Sequence, residues 1–358
     1  MKQIFFTPGP AELYFTVESH VKKALAEQVP SISHRSTRFQ SIFQEAEENL
    51  RNLLGLPDNY YVFFTGSATE IWERLIQNLV AEQSYHYVNG AFSNRFYKIT
   101  QELGRSPIAQ AAEEGDCAIV DPDQIPTDTE LVAFTQNETS TGAAQPLEDI
   151  YRIRKSHPNA IIAVDAVSTL PYIDLDYAQI DTTYFSVQKG FGLPAGLGVW
   201  LVNDRCLAKA EQLVQKQSIG SYHSLPSLLE KARKQQTPET PNVLGIYLLA
   251  KVAGDMLTKG MEMIRNETKF KAGMMYQTLL EHPDFTPFVR NEKYRSKTVI
   301  VAETKKPSSE VMEKLQTDNL VIGKGYGHFK SKHIRIANFP THSKEQMILL
   351  IDKISAIS

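Results

Sequence analysis

The sequence predicts an α/β fold: a mostly parallel sheet covered by helices on both faces, followed by a smaller α+β region. Three observations carry this expectation. From residue 60 onward, short apolar runs alternate with segments of helical spacing. Runs such as IIAV and LGVWLV are apolar at nearly every position rather than every second one, as strands buried on both faces are. The chain has 358 residues, more than the ~250–300 at which single cores stop growing, so two domains are expected.

In order, VESHVKKALAEQV and RFQSIFQEAEENLRNLL read as helices, the second closed by Gly55 as a C-cap. YVFF reads as a strand, TGSAT as a small-residue turn and EIWERLIQNLV as a helix. SYHYVNG, FSNRFYKITQELG, ELVAFTQ and PLEDIYRIRKSHP continue the alternation, and IIAVDAVS, TTYFSVQ and LGVWLV add three strands. Residues 242–283 form one long helix or a broken pair. SKTVIVAET, SSEVMEKLQTD, LVIGKGYG, HIRIANF and SKEQMILLIDKISAI then alternate again as the smaller α+β unit. The polar, proline-containing KARKQQTPETPN is the boundary region; the expected division is 16–245 for the large domain and 1–15 plus 246–358 for the small one.

Composition narrows the function classes. Hydrophobic residues make up 42% and charged residues 22%, ordinary for a globular protein. The formal net charge is −3 and basic residues are not concentrated in any tract, so nucleic acid is not an expected partner. Cys117 and Cys206 lack CxxC spacing, which argues against a disulfide framework or a cysteine-rich metal site and fits a reducing cytoplasm. MKQIFFTPGPAEL is too briefly apolar for a signal peptide, and no run of about 18 apolar residues offers a membrane span.

Open α/β sheets bind ligands at the carboxyl ends of their strands. Reading off those ends gives Thr65-Gly66-Ser67-Ala68-Thr69, Asn137-Glu138-Thr139, Asp165 and Gln188-Lys189. TGSAT at a helix start suits a phosphate, although it is neither a Walker loop nor GxGxxG, and Ser67 or Thr69 equally suits a helix cap. Asp165 follows four apolar residues and needs a partner: a cation, a protonated heterocycle nitrogen, or backbone donors. Lys189 is either a solvated strand-end lysine or a desolvated amine able to form an imine. Together, phosphate cup, buried carboxylate and lysine match what pyridoxal phosphate requires.

With FFTPGPAEL, SISHRSTRF, FFTGSAT, VNGAFSNRF, NETSTG, AVDAVS, SVQKGFGLPAGLG, ETPNVLGIY and HIRIANF in place, nearly the whole chain resembles the class V aminotransferases of the fold-type-I pyridoxal-phosphate enzymes. The resemblance implies a seven-stranded-type sheet and a homodimer with shared active sites. It also implies the residue roles. Lys189 binds the cofactor aldehyde and then moves the substrate α-proton, Asp165 pairs with the pyridine nitrogen, and Phe92 stacks on the ring. Thr139 meets the phenolic oxygen; Ser67, Ala68, Thr69 and Gln188 hold the phosphate, joined by Thr240 of a neighbouring subunit. Arg335 grips the substrate α-carboxylate, for which a planar guanidinium fork is chemically apt; read alone, an arginine between isoleucines also suits an exposed edge.

SISHRSTRF, NET and the opening GPA are most similar to the phosphoserine branch, in which His34, Arg35 and His328 would meet the distal anion of the substrate. NETSTGAAQPL and AVDAVS are equally similar to the serine or alanine–glyoxylate branch. The cup loop carries Ala68 or Thr69 where that first branch often has an arginine, and IANFP replaces a motif ending in tyrosine and asparagine; Lys324 is a candidate substitute charge. Neither cysteine lies where a cysteine desulfurase needs one, and a non-catalytic cofactor-binding protein has no need of both Lys189 and Arg335.

Overall fold

Alternate residues of the long apolar strands enter opposite faces of one sheet, and both faces are buried. Val62, Phe64, Ile162 and Val164 pack into one core; Phe63, Ile161 and Ala163 pack into another. This double burial is why the strands read as continuous apolar runs. In the computed structural model, which describes residues 2–357, the sheet has seven strands. Their spatial order is Tyr60–Thr65, Gly198–Asn203, Thr182–Ser186, Ile161–Asp165, Leu131–Thr135, Gln83–Val88, Ser106–Ala111. Gly198–Asn203 alone runs antiparallel to its neighbours.

Ser106–Ala111 is a strand that the apolar-run pattern does not reveal. Its sequence SPIAQA is largely exposed and lies at the sheet edge, where Pro107 leaves no ladder bond unmade on the open side. Residues 242–283 resolve into a broken pair, Val243–Lys259 and Met261–Glu281, separated by Gly260 at φ 88°.

A second sheet of five strands has the order Ile4–Phe6, Leu320–Lys324, His333–Ala337, Val299–Thr304, Phe285–Pro287. Its own core includes Phe6, Ile300, Ile336 and Met347. The N-terminal strand pairs in parallel with Leu320–Ile322, so the chain begins in the small sheet before crossing to the large one. On the way, Ala11 N donates to the Gln188 carbonyl (3.0 Å) and Tyr14 N to the Gly192 carbonyl (2.9 Å). The carboxyl ends of the parallel strands therefore face the small sheet across this segment. Among the described residues, no helix is long and apolar enough to cross a membrane, and no cluster of metal-ligating side chains occurs.

Candidate active site

Five parallel strands deliver chemistry to one cleft of about 270 Å³. Thr182–Ser186 leads into Lys189, and its neighbour Ile161–Asp165 ends on Asp165. Leu131–Thr135 leads into Thr139, Gln83–Val88 into the helix Ala91–Glu102 that carries Phe92, and Tyr60–Thr65 into the helix Ala68–Leu79. Opposite them, the small-sheet strand His333–Ala337 supplies Arg335. Lys189, Asp165, Ala68, Thr69, Phe92, Thr139, Gln188 and Arg335 all line the cleft, as the strand-end reading and the resemblance expect.

Lys189 is buried, its Nζ donating to Thr139 Oγ1 at 3.2 Å and lying 5.3 Å from the Phe92 ring centroid. Burial lowers its pKa from 10.5 to about 8; the Arg335 cation pushes the same way, while Asp165 and Glu138 oppose. Gly9, at φ 141°, lets the Pro8–Pro10 turn lie on the lysine stem: a Cβ there would stand 2.9 Å from Lys189 Cε. Asp165 is 3% exposed. Its Oδ2 accepts from Trp72 Nε1 and its Oδ1 from Val167 N, both at 3.0 Å. Burial raises its pKa to about 6, against these two hydrogen bonds and the Lys189 charge.

The glycines after Lys189 serve close backbone packing. A Cβ on Gly190 would stand 2.1 Å from the Leu170 carbonyl oxygen. Gly192 has φ 58°, and a Cβ there would stand 2.6 Å from Tyr14 N. Both clamp the lysine turn onto its neighbours.

At the cup, Ser67 is the N-cap of Ala68–Leu79: its hydroxyl accepts from Glu70 N at 3.1 Å. Ser67 thus takes the capping role, while Ala68 and Thr69 in the first turn face the cleft. There the aligned N–H groups and dipole favour an anion. Gly66 N donates to Glu70 Oε2 (2.9 Å) and Ala68 N to Ser186 Oγ (2.9 Å), which fixes the turn. Gln188, Thr135 and Asn137 line the cleft, and their side-chain oxygens are buried without a hydrogen-bond partner among the described residues. Such atoms call for a polar ligand, and with the lysine, the carboxylate and the helix N-terminus they fit pyridoxal phosphate.

Arg335 is no exposed edge residue, because His333–Ala337 pairs with a strand on each side. Its Nε donates to the Lys324 carbonyl (2.8 Å) and its Nη1 to the Thr139 carbonyl (3.2 Å), linking the two sheets. Tyr326 stands between Arg335, whose guanidinium carbon is 5.4 Å from its centroid, and Phe92 at 5.2 Å ring to ring.

Four expected residues besides Ser67 lie outside this cleft. Exposed Arg35 donates to Gln236 Oε1, the Thr237 carbonyl and the Pro238 carbonyl, at 2.8, 2.9 and 3.2 Å. His34 adjoins it, and Thr240 is exposed just beyond the segment that Arg35 holds. His328 is exposed and pairs with Glu114 at 3.2 Å. Lys324 contributes a carbonyl rather than a charge, and Lys189 and Arg335 are the cationic side chains lining the cleft.

Sequence reasoning assigns no role to Trp72, Tyr326 or Glu138. Trp72 falls on the apolar face of its helix and reads as core. Tyr326 sits in a glycine-rich loop without periodicity. Buried Glu138 accepts from Phe92 N (3.2 Å), Ser93 N (3.0 Å) and Ser140 Oγ (2.5 Å), so a carboxylate anchors the helix start that carries Phe92. Gly90 makes room for it, since a Cβ there would stand 2.5 Å from Glu138 Cγ.

Comparison with known proteins agrees with this geometry. The family model described as aminotransferase class-V matches residues 7–333. A solved phosphoserine aminotransferase from Cytophaga hutchinsonii is 47% identical, with a TM-score of 0.95 and 99% of each chain covered. A curated phosphoserine aminotransferase from Rhodococcus opacus is 28% identical over 330 residues, covering 90% of this chain and 86% of its own. An alanine–glyoxylate aminotransferase from Nostoc, 20% identical with a TM-score of 0.86 over 99% of this chain and 95% of its own, shares the fold. The chain belongs to the aminotransferase class-V family.

Proposed function

We propose that the protein is a pyridoxal-phosphate-dependent aminotransferase of the phosphoserine type, interconverting 3-phosphohydroxypyruvate plus glutamate with O-phosphoserine plus 2-oxoglutarate. The observation that carries the proposal is the convergence of a buried lysine, a buried carboxylate and a cleft-facing arginine in a chain 47% identical to a phosphoserine aminotransferase. When bound, the cofactor supplies an aldehyde and a pyridine ring that accepts electron density. Lys189 would hold the aldehyde carbon and move the proton at the substrate α-carbon. Asp165 would keep the ring nitrogen protonated. Phe92 would cover the ring, Thr139 would orient the lysine and the phenolic oxygen, and Ala68, Thr69 and Gln188 would hold the phosphate. Arg335 takes the α-carboxylate through a planar pair of hydrogen bonds.

The same reading makes the protein a cytoplasmic homodimer, with 16–245 as the large domain and 1–15 plus 246–358 as the small one. Thr240, His34 and Arg35, outside their own cleft, then serve the partner's. One observation favours a second reading, amino transfer to glyoxylate or pyruvate: among the described residues, Arg335 is the one cation beyond Lys189 lining a cleft that would receive a substrate with two anionic ends.

Steady-state assays with phosphohydroxypyruvate and glyoxylate separate the two readings. Turnover of phosphohydroxypyruvate with glutamate is expected, and Arg35→Ala should lower its kcat/KM by ~10²-fold while sparing glyoxylate. Brisk glyoxylate turnover with no activity on the phosphorylated acid would defeat the phosphoserine assignment. An equal loss on both acceptors would make Arg35 a structural clamp of residues 236–238.

A further inference from the structure

Asp165 lies at the end of the central strand Ile161–Asp165, beneath the cleft, with two donors on its carboxylate. One, Val167 N, belongs to the turn that follows the strand and is present whatever the side chains are. The other is the indole N–H of Trp72, brought in from the helix Ala68–Leu79, one turn beyond the residues that face the proposed phosphate position. Trp72 is 4% exposed and its ring stacks on Phe96, with centroids 5.8 Å apart and planes at 14°. The indole is therefore held by packing on its face while its one polar atom points at Asp165 Oδ2.

Resting on the cofactor reading above, we propose that Trp72 is a positioning residue that keeps the Asp165 carboxylate ionised and aimed at the cofactor ring nitrogen. A buried carboxylate tends to take up a proton, and a neutral carboxyl cannot hold a pyridinium N–H as a charged partner. Hydrogen bonds to the charged form oppose that tendency. Lys189 and Glu138, the other charged groups acting on Asp165, pull its pKa in opposite directions. Buried Tyr184, whose hydroxyl adjoins the Trp72 indole, and His86, held neutral beyond Phe96, are the further titratable groups on this face. No other side chain donates a hydrogen bond to Asp165 among the described residues, so Trp72 is the lever that sequence change can move. The same contact couples the helix at the phosphate end of the site to the carboxylate at its nitrogen end.

Two measurements test this. Pyridoxal phosphate affinity is determined by equilibrium dialysis from pH 5.5 to 9 for the wild type, Trp72→Phe and Asp165→Asn, with thermal melting to confirm folding. Trp72→Phe keeps a ring against Phe96 and removes the donor. Its affinity at pH 8.5 to 9 should stay within about threefold of the wild type, while the acid-side weakening moves up by about one pH unit or more. A superimposable profile, or one weakened equally at every pH, would overturn the proposal and leave the cofactor reading standing. Absence of binding by the wild type would overturn both.

The second measurement needs no cofactor. The chain has two tryptophans, and Trp200 Nε1 donates to a neutral acceptor, Thr182 Oγ1, at 2.8 Å. In ¹⁵N-indole-labelled apo protein, the Trp72 N–H resonance should titrate with a midpoint near 6, following Asp165, while Trp200 stays flat. Two flat resonances, or a titration that survives in Asp165→Asn, would overturn the proposal.

Discussion

At the scale of single residues, the site works by desolvation held in check. Lys189 and Asp165 are both buried, and burial pushes each toward its neutral form. For the lysine this suits the proposed role, since only the free amine attacks an aldehyde. With a pKa of about 8, roughly a quarter of Lys189 is free amine at pH 7.5, against about one in a thousand for an ordinary lysine. Capture of pyridoxal phosphate by the apo protein should therefore quicken as pH rises, with a midpoint near 8. Because the Arg335 cation lowers the lysine pKa, Arg335→Gln should move that midpoint upward. Stopped-flow absorbance checks both; an unmoved or lowered midpoint would contradict the electrostatics. The sequence exposed Lys189 and Asp165 because a charged residue ending an apolar strand stands out. It hid Trp72, whose indole reaches Asp165 across 93 positions of chain, and of the two roles it offered Ser67, phosphate contact or helix cap, the hydroxyl fills the cap.

At the scale of elements, the lysine turn is fixed by glycines that admit no side chain. Gly190 packs under the Leu170 carbonyl and Gly192 under the Tyr14 backbone. A Cβ at Gly190 forces the turn off its neighbour, so Gly190→Ala should cost about 2–3 kcal/mol or more and displace Lys189 with it. Gly273 is the control: it lies within the helix Met261–Glu281, and a Cβ there meets nothing within 4 Å. Gly273→Ala should leave stability unchanged or raise it by up to about 1 kcal/mol. Urea unfolding curves distinguish them, and equal effects at the two positions would contradict the packing described. Elements were legible where periodicity was strong: the buried strands and amphipathic helices follow the hydrophobic pattern. Ser106–Ala111 was not, because an exposed edge strand has no apolar face to declare itself. Nor was the reversed direction of Gly198–Asn203, which leaves no mark on composition.

At the scale of the molecule, two sheets meet so that strand ends from the large one face a single arginine strand of the small one, with the N-terminal segment between them. The strand-end rule made this meeting place readable from sequence, since parallel topology alone gathers Lys189, Asp165, Thr139 and the Ala68–Thr69 turn, while Phe92 and Arg335 came only from the family resemblance. It did not place His34, Arg35, Thr240 or His328, whose positions depend on long connections. The architecture also separates two buried lysines. Lys271, with its pKa lowered by burial to about 7, is tied to the Phe339 and His342 carbonyls in the small-sheet core, outside the cleft that holds Lys189. Lys189 opens into the cleft beside Asp165. By pKa alone the two are rivals; by position Lys189 is the one that lines the proposed cofactor cleft. The most direct measurement loads the protein with pyridoxal phosphate, reduces it with borohydride and maps the modified peptide by mass spectrometry. A pyridoxyl group on Lys189, lost in Lys189→Ala, is the expected result; labelling concentrated on Lys271 or any other lysine would contradict it.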